Sequence, residues 1–131
     1  MSQWTHVAAI FRVDSFRFAG EKLNFKEIFG EELGYDDRDA WYEADVCPEK
    51  FLPFGSEGSL HMSVWENPKV NHLAAYTVSV FGDLRDYNDI EKIMNWFDEK
   101  CRAVHIRQAV ITVDNELDEI QTKTYVDEEE T

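Results

Sequence analysis

His6 and His61 are the residues from which a reactive centre would most readily be built. Imidazole titrates near neutrality and can hold a proton, an anion or a metal ion. Each histidine sits on the polar side of an alternating segment. "WTHVAAIFRVD" sets Thr5, Val7, Ala9, Phe11 and Val13 on one face, with Trp4, His6, Ala8, Ile10 and Arg12 on the other. "SLHMSVWE" sets His61 and Trp65 opposite Leu60, Met62 and Val64. Both histidines are therefore expected on the open side of one sheet, near Trp65, Thr77 and Ser79. His105 and Arg107 join them if a bulge falls after Arg107. No carboxylate or cysteine stands at ligand spacing beside them and no HExxH is present, so no metal and no cofactor is expected. A solvated or dimer-covered polar face is the expectation instead.

"FGDLRDYND" could supply a recognition surface through Arg85 and Tyr87. Asp83, Asp86 and Asp89 in the same stretch make it a poor anion site. "GSEGS" is not a phosphate loop. It lacks Gly-Lys-Ser/Thr, it leads into a strand, and Glu57 would repel phosphate. It reads as a turn with Gly55 and Gly58 at positive φ and Ser56 bonding locally. Together, His6, His61, Trp65, Arg85, Tyr87 and the Gly55–Gly58 loop define one candidate site, for a small molecule or nucleotide bound to the open sheet face of a homo-oligomer.

A second candidate is electrostatic. Asp36, Asp37, Asp39, Glu43, Asp45 and Glu49 face only Arg38 before Lys50 is reached. The whole chain carries 27 acidic against 13 basic residues, a net charge of -14. That balance excludes non-specific binding to nucleic acid or to an anionic membrane, both of which need a cationic face. It favours a protein partner with a basic surface, met through Asp36, Asp37, Asp39, Glu43 and Asp45. No nucleophile–base pair, acid–base pair or cofactor fingerprint is recognisable, so the expected function is non-enzymatic.

These groups must be positioned by a single domain, expected over residues 1–126 with an acidic tail at 127–131. Of the 131 residues, 44% are apolar, enough for a sizeable core. The patterning predicts a strand at Thr5–Val13 and a helix in "NFKEIFGEEL", capped by Asn24 and stopped by Gly34. Strands follow at Ser59–Glu66 and Leu73–Phe81, joined by "NPKVNH". A second helix carries the stripe Ile90, Ile93, Met94, Phe97 and Cys101, with Asn88 as its cap. "VHIRQAVITVD" is a strand whose apolar parity changes near Arg107 and Gln108, as a β-bulge would cause. "EIQTKTYV" is an edge strand hairpinned onto it. The acidic connection 34–53 is expected to hold one short strand around Trp41 to Val46. This order predicts an α+β, ferredoxin-like antiparallel sheet with two helices on one face and an appended edge strand. Cys47 and Cys101 lack CxxC spacing and are expected to be reduced thiols. No signal peptide or membrane span is expected, and the chain reads as cytoplasmic.

"PFGSEGSLHMSVWENP" and "AAYTVSVFGDLRDYNDIEKIMNWF", with "WTHVAAIFRVDSF" as a third piece, resemble small proteins of phages of Gram-positive bacteria and of their hosts. The resemblance covers roughly the middle third of the chain and carries over no catalytic residue. It implies a setting in which small acidic proteins neutralise another protein, as phage inhibitors of host defence or as immunity proteins.

Overall fold

The computed structural model describes residues 3–16, 23–66 and 73–127. The turn expected at Gly20, the "NPKVNH" connection and the tail beyond Asp127 lie outside these residues.

Alternation dominates the sheet. In β1 (Trp4–Phe16), Thr5, Val7, Ala9, Phe11 and Val13 are all buried, as their shared parity requires. β1 is the central strand. It pairs antiparallel with β3 (Leu73–Arg85) on one side and with β4 (Ile106–Asn115) on the other. β2 (His61–Glu66) borders β3, and β5 (Gln121–Val126) borders β4. The sheet order is β2-β3-β1-β4-β5. The expected bulge is present: Arg12 pairs with Gln108 but Val13 with Ile106, so Arg107 is skipped. That slip returns Ile106 to the core beside Ala109, Ile111 and Val113.

Among the described residues three α-helices accompany the sheet, one more than the pattern predicts. α1 (Phe25–Phe29) starts where Asn24 accepts the Glu27 N–H. It stops at Gly30 (φ 122°) rather than at Gly34, because Glu31 bridges at once to Phe51. α2 (Arg38–Val46) replaces the strand expected near Trp41 to Val46. Asp37 caps it by accepting the Ala40 N–H, and Ala40, Trp41 and Ala44 share a buried side that a two-residue repeat would have split. A 3-10 turn, Pro48–Lys50, follows. α3 (Ile90–Ala103) is capped by Asp89, one residue later than expected, through the Lys92 N–H. Its Ile93, Phe97 and Cys101 are buried, with Ile90 and Met94 packed at the margin.

The main core joins one face of the sheet to α1 and α3. Phe11 is its hub, with ring centroids 4.9 Å from Phe29 and 5.3 Å from Phe97. A smaller cluster of Leu33, Ala44 and Phe51, with Trp41 and Phe54 against it, holds α2 separately. Among the described residues, no helix is long and apolar enough to cross a membrane.

Candidate functional site

Three surfaces compete for a functional role. The first is the open sheet face. Strand register puts His6, Ala8, Ile10 and Arg12 of β1 on it, beside Asp83, Phe81, Ser79 and Thr77 of β3. His61, Ser63 and Trp65 of β2 lie on the same side, since they pair with Phe81, Ser79 and Thr77. The parity of both histidines is thus as expected. They are not gathered into one centre, however. His6 Nδ1 lies 2.6 Å from Asp83 Oδ1, and its Nε2 lies 3.5 Å from Glu116. The Asp83 hydrogen bond raises the His6 pKa, with partial burial opposing it. His61 Nδ1 lies 2.6 Å from Glu32 Oε1, and the ring stands edge-on to Phe81. His105 does not join them. It precedes β4 and meets Asp127 at 3.0 Å. Among the described residues, no group of three or more His, Cys, Asp or Glu is placed to hold a metal ion.

Arg85 pairs with Trp4, two residues along β3 from the His6–Asp83 pair, and Tyr87 lies beyond the end of β3. The Arg85 guanidinium donates to Glu57 at 2.7 Å, and its backbone clasps the glycine loop: the Ser56 N–H donates to the Arg85 carbonyl and the Arg85 N–H to that of Glu57. Gly58 takes φ 81°, and a Cβ there would sit 2.2 Å from the Asp83 carbonyl oxygen. Gly55 is not at positive φ, contrary to expectation. It is glycine because a Cβ would meet the Arg85 carbonyl oxygen at 2.6 Å. Ser56 bonds across 29 residues to Arg85 instead of locally. The loop is a structural clasp on the end of β3. The Tyr87 carbonyl accepts from Thr5 Oγ1 and Asn115 Nδ2, the two buried polar residues of the sheet. Its phenol is pushed up to about 12, by burial first and by Asp89 second.

The second surface is α2 and its approach. Two of the predicted carboxylates have structural duties: Asp37 caps the helix, and Glu43 pairs with Lys50 at 2.9 Å. That pairing raises the Lys50 pKa. Asp36, Asp39 and Asp45 are exposed and make no ion pair among the described residues. The aromatics of this segment, Tyr35, Trp41 and Tyr42, are expected from the sequence to pack it down, but of the three only Trp41 packs against the small cluster. Tyr35 is 81% exposed and Tyr42 73%, and with Arg38, Trp41 and Asp45 they line a shallow hollow of about 270 Å³.

The third surface is a cleft of about 360 Å³ between α3 and the segment 48–54. Phe54, Tyr87 and Trp96 line it, with Lys92, Lys100 and Glu99 from α3. No local pattern announces it, because its two walls are some forty residues apart in the chain. Comparison with protein-family models, curated proteins and solved structures finds no match to this chain.

Proposed function

We propose that this protein is a non-enzymatic binding protein that docks α2 and its flanks onto the basic surface of a protein partner and thereby neutralises it. One observation carries the reading. Two tyrosines stand almost wholly in solvent among unpaired carboxylates, Tyr35 and Tyr42 beside Asp36, Asp39 and Asp45. Exposed tyrosines are effective interface anchors, with large rigid rings and a polar tip. Carboxylates around them steer a basic partner and fix its register. A neutralising role agrees with the phage setting that the resemblance of the middle of the chain implies. A cytoplasmic setting belongs to the same proposal, and Cys47 and Cys101 stand unbridged.

The fold belongs in this proposal as a ferredoxin-like domain. Its support is the order β2-β3-β1-β4, with β5 added at the β4 edge and α1 and α3 sharing one core. A second reading rests on the open sheet face. Ile10, Phe81, Trp65 and Val126 are each about half exposed there. Apolar side chains set singly among polar neighbours suit a second copy of the chain better than a small molecule.

The test is photo-crosslinking in lysate of the source cells. With p-benzoylphenylalanine replacing Tyr42, a basic protein should be captured at low salt and lost at high salt. The same group replacing Thr124 on β5 should capture nothing comparable. Equal capture from both positions, or none from Tyr42, would contradict the reading.

A further inference from the structure

The cleft between α3 and residues 48–54 has two lysines on its α3 wall. Lys92, Trp96 and Lys100 are spaced four apart on α3 and so share one face of the helix. The Lys100 side chain is only 12% exposed, yet among the described residues the one carboxylate paired with its Nζ is Glu99, whose Oε1 lies at 3.8 Å. That is beyond hydrogen-bond distance. Glu99 is itself 71% exposed, so its hold on the ammonium is weak. Lys92 makes no ion pair among the described residues, although the chain carries twice as many acids as bases. Lys100 covers most of its stem while Nζ still meets solvent, and an anion in the cleft would give it the hydrogen-bonded counter-charge it lacks among the described residues.

The rest of the cleft limits what that anion can be. Phe54 and Trp96 supply an aromatic floor, and both are fixed from behind. Trp96 stands edge-on to Phe11 of the main core at 6.0 Å, and Phe54 edge-on to Trp41 of α2 at 5.7 Å. Tyr87 is held by its carbonyl on Thr5 and Asn115. Its phenol keeps its proton at neutral pH and remains a donor. Glu49 and Glu99 stand on the same rim as the two lysines, which disfavours a phosphate dianion but tolerates a single negative charge. The volume falls within the range of small-molecule sites.

We propose that this cleft binds a small monocarboxylate with an apolar, preferentially aromatic body, its head group held by Lys100 and Lys92 and its body lying on Phe54, Tyr87 and Trp96. The cleft shares no lining residue with the proposed docking surface on α2, although Phe54 touches Trp41 between them.

Titration of the ¹⁵N-labelled protein with indole-3-acetate, followed by amide chemical shifts, tests this directly. Saturable shifts should appear in α3 and residues 48–54, with a dissociation constant of about 1 mM or below. Uncharged indole-3-acetamide should bind about tenfold more weakly, and cationic tryptamine more weakly still. Lys100→Met keeps the alkyl stem and should weaken indole-3-acetate about tenfold. Lys92→Gln lies at an exposed position where folding is not at risk, and should weaken it severalfold. The proposal is overturned by shifts that do not saturate, by shifts centred elsewhere, by equal binding of the three probes, or by binding indifferent to Lys92→Gln.

Discussion

Phe54 stands edge-on to Trp41, with ring centroids 5.7 Å apart and the planes at 88°. This contact joins α2 to the rest of the molecule through a cluster distinct from the main core. Trp41 Nε1 also donates to the Gly34 carbonyl at 2.9 Å, which closes the loop carrying Tyr35 and Asp36. The orientation of the acidic, tyrosine-bearing surface thus depends on one indole. Trp41→Ala should strip hydrogen-exchange protection from the amides of α2 while leaving β1 and β4 protected. Loss of protection throughout the chain would show that α2 is not a separable unit.

The main core should respond differently. Phe97 is fully buried against Phe11, so Phe97→Ala should lower unfolding free energy by about 3–5 kcal/mol in denaturant titrations. A loss below about 1 kcal/mol would place that ring outside the core.

Stability should also depend on His6. Its pKa is raised by the hydrogen bond to Asp83, so the folded state takes up a proton there more readily than the unfolded chain. The stabilisation is complete below the unfolded value of about 6.5 and is lost as pH rises through the folded value. His6→Gln should therefore lower Tm at about pH 5.5 and change it little at about pH 9. Equal effects at both pH values would mean that the Asp83 contact does not depend on the imidazolium.

If the open sheet face covers a second copy, Ile10→Lys should shift sedimentation from dimer to monomer without loss of Tm, since Ile10 is 50% exposed. A wild-type chain that sediments as a monomer at high concentration would exclude this association.

Much of the fold was legible because its signals are local. The alternation of Thr5–Val13 and the stripe Ile93–Phe97–Cys101 each report burial within a few residues, and the parity change at Arg107 located the bulge. α2 was misread for the opposite reason. Ala44 is the one fully buried residue of this acidic helix, so the apolar period is nearly silent. A usable signal was present in Asp37 three residues before Ala40 and in the spacing of Ala40, Trp41 and Ala44. The histidine face was placed correctly, but sequence parity cannot show that Asp83 and Glu32 occupy the two imidazoles. The cleft could not be foreseen, since it exists only where the 48–54 segment meets α3.

On the proposed function, the α2 surface recognises a basic partner by charge and by its exposed tyrosines. The most direct test of this is the association rate of the partner captured through Tyr42, measured against ionic strength. The comparison is between wild type and the triple variant Asp36→Lys, Asp39→Lys, Asp45→Lys. These carboxylates have no ion pair among the described residues, so Tm should hardly change. Exposed charges act over about 8 Å at physiological salt, so association of the wild type should slow steeply as salt rises while dissociation stays nearly constant. The triple variant should associate at least about tenfold more slowly at low salt and lose most of the salt dependence. An association rate indifferent to both salt and the three reversals would contradict the account and leave the acidic surface of α2 as a solvated helix.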